Sequence, residues 1–306
     1  MSEYRKEFFP SNTGECRIAV HCWKPEGEIK GVVQFVHGMS EYVCRFEHVA
    51  KYLNDLGYVF CGEDHAGHGE SIPDEAHKGF FADEDGWDKL VADIMQLHKK
   101  LKEEYPGVKH ILYGHSMGSF LSRTCAARFP DEFDAFIWSG TAGKNPAMPL
   151  AKFIAEMEIK RRGSRGLSPL LNSLVFGPYA KSVKNARTEF DWLSTDESVV
   201  DKYVADPLCG FNFKCAAYRD MFKGLMEIST KKWLKAVPNV PIYIFSGAKD
   251  PVGSMGKGPR KLCDKLRKNG KTQVRLQLYE NGRHEMHNET NKDEVLKGIA
   301  AFLKSI

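Results

Sequence analysis

The feature that most constrains the fold of this 306-residue chain is the pentapeptide Gly114-His115-Ser116-Met117-Gly118. It is a G-x-S-x-G pattern set between a short apolar run at 110–113 and a segment of helical character over 119–129. Strand, tight turn and helix are the context in which such a serine sits on a strained turn and projects from the edge of a sheet. Small residues on either side let neighbouring backbone approach closely. The pattern alone arises by chance, so its weight depends on what else the chain supplies.

The surrounding rhythm supplies a sheet. Residues 31–36 and 58–62 are nearly continuous apolar runs, as expected of strands covered on both faces. Further strand-like runs lie at 135–140, 241–247 and 273–279. Helical spacing recurs at 43–56, along Trp87, Leu90, Val91, Ile94, Leu97 and Leu101, near 258–268 and near 291–304. The alternation of Ile18, Val20 and Cys22 over 17–23, with a shorter run at 4–9, predicts an antiparallel start. Strands alternating with helices predict an α/β chain with a mostly parallel central sheet and helices on both faces. The rhythm breaks at residue 141 and resumes near 236. The expected division is a core of 1–140 and 236–306 with a helical cap inserted over 141–235.

The bulk properties exclude several classes. A net charge of +4 gives no case for a nucleic-acid partner. The first residues are polar and do not read as a signal peptide, and no run approaches a membrane span. Eight cysteines are scattered without a C-x-x-C pair, several within apolar runs, which favours buried free thiols in a reducing cytoplasm.

Reactive residues follow strand ends, where open α/β sheets place their sites. Asp250 follows the run 241–247, and His284 follows the run 273–279. The order Ser116, Asp250, His284 is that of a serine nucleophile, an orienting acid and a base. A serine hydroxyl needs a base poised near neutral pH, and imidazole is the unperturbed side chain that meets this. Alternatives remain at this level. Asp250 precedes a proline and suits a turn, Glu285 and Asp264 are other acids, and His287 is another base. An oxyanion site needs two amide donors. Met117, after the serine, supplies one, and Met39, in the loop after the first buried strand, supplies the other, with Gly38 permitting the turn and His37 bracing it. His65 and His68 flank Gly67, but no ligand pattern completes a zinc site, so neither a metal nor a cofactor is expected. Asp64 and the glycines of 63–71 are expected to stitch a structural loop near the site.

Several stretches together resemble one family. They are His37-Gly38-Met39-Ser40-Glu41 through Arg45-Phe46, the loop 64–71, the 114–118 pentapeptide, the stretch 247–251 and Gly282-Arg283-His284-Glu285. This set is similar to the monoacylglycerol lipase and lysophospholipase branch of the α/β-hydrolases, grouped with serine aminopeptidase-like enzymes, and most to bacterial members. The stretch Glu41-Tyr42-Val43-Cys44-Arg45 differs from the acid-His-small-x-Arg form familiar in those lipases. The resemblance implies a lid and a small acyl ester or monoacyl lipid as substrate. It carries the catalytic roles to Ser116, Asp250 and His284, and the oxyanion roles to Met39 and Met117. Trp192, Phe211 and Phe213 are candidate substrate-lining residues of the cap, or else pack the cap on itself. The basic run 160–165 reads as a solvated face or as a contact for anionic head groups. Two other functions compete. An aminopeptidase would need an acid to hold an amine, with Glu156, Glu158 and Asp191 as candidates. A binding protein on a retired hydrolase scaffold would have lost a triad member.

Overall fold

In a computed structural model that describes residues 3–306, the period-two alternation of the strands is resolved into two apolar layers. The strands are β1 (Glu3–Pro10), β2 (Arg17–Lys24), β3 (Gly31–Val36), β4 (Tyr58–Glu63), β5 (Lys109–His115), β6 (Ala135–Ser139), β7 (Ile242–Gly247) and β8 (Val274–Tyr279). They form one sheet in the order β1-β2-β4-β3-β5-β6-β7-β8. β1 pairs antiparallel with β2, and β2 antiparallel with β4; from β4 to β8 every neighbouring pair is parallel. The antiparallel start and parallel body match the expectation from sequence.

Side chains alternate across each strand. Val32 and Val36 of β3, Val59 and Cys61 of β4, Leu112 of β5 and Ile242 and Ile244 of β7 join one core. Val33 and Phe35, Tyr58 and Phe60, Ile111 and Tyr113, and Tyr243 and Phe245 join the other. Helices α1 (Glu47–Asp55) and α10 (Lys292–Leu303) cover the second face with Val49, Leu53, Val295 and Ile299. Helices α2 (Gly86–Glu104), α3 (Met117–Arg128) and α9 (Lys257–Lys268) cover the first with Leu90, Ile94, Leu121 and Leu266. β8 ends the sheet and exposes Arg275 and Gln277 on alternate positions, as an edge strand that must discourage further pairing.

Between β6 and β7 lie α4 (Met148–Arg162), α5 (Pro169–Ala180), α6 (Glu197–Ala205), α7 (Cys215–Glu227) and α8 (Lys231–Ala236). Among the described residues this stretch contains no strand, only a bridge between Leu167 and Lys214. α7 buries Tyr218 and Phe222 in the first core, and Gly224 lets the Trp87 ring of α2 lie directly on it. No helix among the described residues is long and apolar enough to cross a membrane. All eight cysteines are free, and six of them are buried.

The turn from β5 into α3 is the tightest junction. Ser116 has φ 52° and ψ −121°, a sparsely populated conformation that costs about 1–3 kcal/mol and persists only where its surroundings hold it. The two glycines serve packing instead of conformation, since neither has a positive φ. A Cβ on Gly118 would overlap the carbonyl of Val36 and lie 2.5 Å from that of His37; one on Gly114 would lie 2.6 Å from the carbonyl carbon of Gly118. The start of α3 therefore rests directly on the end of β3. Gly118→Ala should lower stability by about 1–3 kcal/mol or more through overpacking, read as a lower denaturation midpoint at unchanged m-value. Gly177→Ala in α5, where the nearest atom would be Ser173 Oγ at 3.4 Å, should leave that midpoint within about 1 kcal/mol of its original value or raise it.

Candidate active site

Three loops at the carboxyl ends of β5, β7 and β8 converge. Ser116 Oγ lies 2.8 Å from His284 Nε2, and His284 Nδ1 lies 3.0 Å from Asp250 Oδ1. A hydroxyl must donate to an unprotonated ring nitrogen, so this geometry requires His284 to carry its proton on Nδ1, facing the carboxylate. Asp250 is fully buried and held from two sides: Val252 N–H donates to Oδ1 and Ser246 Oγ–H to Oδ2, at 2.9 and 3.1 Å. Burial pushes the His284 imidazolium towards deprotonation. The facing Asp250 carboxylate and its hydrogen bond outweigh burial, with Glu285 and Glu41 adding to them, so the net shift is upward from the ordinary value near 6.5.

The other candidates are placed elsewhere. Glu285 points away from the ring and pairs with Arg45 at 2.8 Å. Asp264 is exposed on α9. His287 is buried against Ser139, 3.2 Å from its hydroxyl, and burial holds its ring neutral.

The loop after β3 is braced as a unit. His37 Nε2 accepts from the amide of His65, so Nδ1 carries the proton and donates to the Gly38 carbonyl at 2.8 Å. Gly38 is needed for space and not for its turn: its φ is not positive, but a Cβ there would lie 2.5 Å from Glu41 Oε1 and 3.0 Å from Ser116 Cβ. The positive φ of this loop falls on Ser40 instead, at 55°. Met39 and Met117 both line the cavity that contains Ser116. The Met117 amide is the first of α3 and has no carbonyl one turn back. The Met39 amide makes no backbone hydrogen bond among the described residues. The histidine-rich loop is structural as expected: Asp64 accepts from the amides of Val43 and Glu70, and Ser71 donates to the Asp64 carbonyl.

The cavity measures about 1030 Å³. Its wall combines Phe120 of α3, Met148 and Ala151 of α4, Val175 and Phe176 of α5, and Met221 and Leu225 of α7. Of the three aromatic residues expected to line it, Trp192 does, its ring 5.1 Å from that of His284. Phe211 and Phe213 do not. Phe213 is fully buried against Phe81, His68 and Tyr218, and Phe211 packs at a tilt on the His68 ring beneath Lys78. They lock the insertion to the 64–81 loop, because the amide of Lys214 and the carbonyl of Gly79 pair there.

Two connections were not anticipated. Arg45 reaches both Glu41 and Glu285, and Glu41 Oε1 accepts from the Gly38 amide at 2.5 Å. The loop after β3 is thus tied through one buried guanidinium to the residue after His284. Burial and the nearby Glu285 raise the Glu41 carboxyl, against the pull of Arg45; Glu285, hydrogen-bonded by Arg45 and Asn288, is lowered despite its burial. Glu41, His115 and Glu285 bring ligand atoms within 4.8 Å of one another, but Arg45 already sets a cation against both carboxylates. The second connection joins the insertion to the loop that carries His284. The Glu285 amide donates to the Leu193 carbonyl at 2.7 Å, and Arg283 Nη1 donates to the carbonyls of Asp191 and Ser194. The spacing of Glu41 and Arg45, four apart at the start of a helical turn, was the available signal for the first; Arg283 beside His284 was that for the second.

A mostly parallel sheet whose third parallel strand runs through a strained serine into a helix defines the α/β-hydrolase fold. A highly thermostable carboxyl esterase from Bacillus coagulans, solved with glycerol, superposes with a TM-score of 0.93 over 99% of this chain and 98% of its own, at 28% identity. The family model described as serine aminopeptidase, S33, matches residues 27–291. The chain belongs to that family and is a serine hydrolase. Monoacylglycerol lipase from Mycolicibacterium smegmatis is 27% identical, covering 100% of this chain and 99% of the relative. Monoglyceride lipase from Homo sapiens is 28% identical, covering 87% and 79%.

Removing the shared cation isolates its contribution. Arg45→Met leaves two carboxylates buried side by side and should cost about 3–5 kcal/mol at neutral pH. The loss should shrink as pH falls and the carboxylates are protonated, read as a thermal midpoint that recovers relative to the parent in acid.

Proposed function

We propose that the chain hydrolyses carboxylic esters of monoacyl lipids or similar small acyl alcohols through an acyl-enzyme on Ser116. The observation that carries this reading is the chain of contacts from Ser116 Oγ to His284 to Asp250, opening on a large, mainly apolar cavity. Ser116 Oγ attacks the ester carbonyl carbon as its proton passes to His284 Nε2. Asp250 holds the ring and stabilises the imidazolium. The amides of Met39 and Met117 receive the oxyanion. Collapse expels the alcohol, which takes the proton from His284. Water then repeats the sequence on the acyl-enzyme, releasing the acid and restoring Ser116. The names of the relatives support an ester, and so does the lining. Its acidic members, Glu41 and Glu285, are taken by Arg45, while Glu156, Glu158 and Asp191 lie outside it, paired to Lys152, Arg162 and the Thr188 hydroxyl. An aminopeptidase would lack an acid to hold its substrate's amine.

Residues 141–235 act in this reading as a lid that also meets lipid surfaces. Leu150, Phe153 and Met157 stand exposed along α4, and Leu167, Leu170 and Leu174 stand exposed at or near α5, with Lys160 and Arg161 exposed beside them. An apolar ridge next to exposed cations suits the interface of an anionic bilayer. The free thiols fit a reducing cytoplasm.

Ser116→Ala should abolish labelling by a fluorophosphonate and lower ester turnover by at least about a thousandfold; labelling that persists sinks the assignment. In the parent, kcat/KM should fall in acid with a midpoint above 6.5, because a protonated His284 cannot take the serine proton. Asp250→Asn should lower turnover by about a thousandfold or more and move that midpoint down, since the carboxylate is what raises it. Near-normal turnover in that variant removes Asp250 from the triad. Phe153→Asp should weaken partition into anionic vesicles by roughly tenfold, the equivalent of one apolar side chain of this size, read by co-sedimentation.

A further inference from the structure

The charge around the cavity is one-sided. Lys257, Lys261 and Lys265 are four residues apart on α9 and so share one face of it, and all three line the cavity. Lys144, in the stretch after β6, and Lys231, the first residue of α8, line it as well. Gly143 lies against Gly258 at the base of this group, which brings the first stretch onto the start of α9. None of the five ammonium groups has an ion pair or a side-chain hydrogen bond among the described residues. No acid offsets them in the lining, because Glu41 and Glu285 are held by Arg45.

A sixth cation lies deeper. Arg123 of α3 lines the same cavity, is 3% exposed, and has no carboxylate partner. Its guanidinium donates to the carbonyls of Ala142 and Ile228 and to the Thr141 hydroxyl, stacks on Trp233, and leaves Nε without a partner. It is seven residues along α3 from Ser116, about 10 Å at the helical rise. A guanidinium buried without a counter-charge is costly, and burial lowers its pKa to about 9. Carbonyl dipoles and a ring face hold it in place, but only an anion balances it.

We propose that the end of the cavity bounded by α3, α8, α9 and the stretch after β6 is an anion subsite, and that the preferred ester carries a phosphate or carboxylate group that reaches it. This rests on the ester-hydrolase reading above and narrows it. Neutral monoacyl esters fit the apolar wall alone. An ester with an anionic group would in addition be drawn in by the lysine rim and set against Arg123, since charges of one sign around a cleft with low-dielectric walls focus the field into it.

The test uses the full chain and three dissolved glycerol esters of eight-carbon acids, each below the concentration at which it forms micelles. These are 1-octanoylglycerol, its 3-phosphate, and the glycerol monoester of octanedioic acid. The first is neutral, the second places the charge on the alcohol limb, and the third places it on the acyl limb. At least one anionic ester should exceed the neutral one in kcat/KM by about tenfold, and the advantage should collapse at about 1 M salt, where screening is nearly complete. In Lys257→Glu/Lys261→Glu/Lys265→Glu the ratio of anionic to neutral kcat/KM should fall at least tenfold. These exposed side chains can be reversed without entering the core, and a thermal melt confirms that the variant is folded. The same ratio, measured as equilibrium affinity in Ser116→Ala by calorimetry, reads the subsite without turnover. Absent turnover with retained anion preference in binding would overturn the ester reading and leave the subsite standing. Equal affinity for charged and neutral esters, or a preference that survives the charge reversal, overturns the subsite. So does a variant that loses only adhesion to anionic vesicles while its ratio for dissolved esters is unchanged, because the lysines would then serve a membrane.

Discussion

The seating of α3 on the end of β3 is the constraint on which the rest depends. Gly118 leaves no side chain between the turn and the carbonyls of Val36 and His37, and Gly114 leaves none against the backbone of Gly118 and Ser119, so the helix can begin immediately after Ser116. That close approach holds the serine in its strained conformation and leaves the Met117 amide at an uncapped helix start. It also brings the loop after β3 alongside, with Gly38 packed directly on Ser116. The strain is local, but what holds it is distributed over β5, the end of β3 and the loop that follows β3. Small shifts in any of them would be felt at the serine.

Charge then does what sterics cannot. Arg45 lies between Glu41, which grips the Gly38 amide, and Glu285, which follows His284. The loop that presents Met39 and the loop that presents His284 come from opposite ends of the chain, and no sheet hydrogen bond joins them. A buried guanidinium with two carboxylates fixes their separation, and its bidentate geometry towards Glu285 also fixes their orientation.

What could be read from the sequence follows the range of the physics involved. Strands and helices obey short periods, so the parallel body and the antiparallel start are visible without a structure. That Ser116, Asp250 and His284 meet is legible because each follows a strand end, and the sheet delivers strand ends to one place. Phe211 and Phe213 were not, because they lie in an irregular stretch where no period tells inward from outward. Their destination is set by the distant Gly79 and His68. Arg123 is hidden for another reason: it stands in a helix between Ser122 and Thr124, and its burial depends on carbonyls that only the folded insertion supplies. At Gly38 the sequence suggests a turn where the structure has a close packing contact, since both leave the same residue in a sequence.

The backbone pairing between Leu193 and Glu285, with Arg283 reaching the carbonyls of Asp191 and Ser194, has a consequence for engineering. The inserted helices look like a detachable module, because both ends of the insertion leave and re-enter the sheet between adjacent strands. They are not one. A graft that replaced 141–235 alone would sever the contacts that position the backbone on both sides of His284. The exchangeable unit is the insertion together with 283–289, two segments that lie far apart in the chain but would have to be transplanted as one.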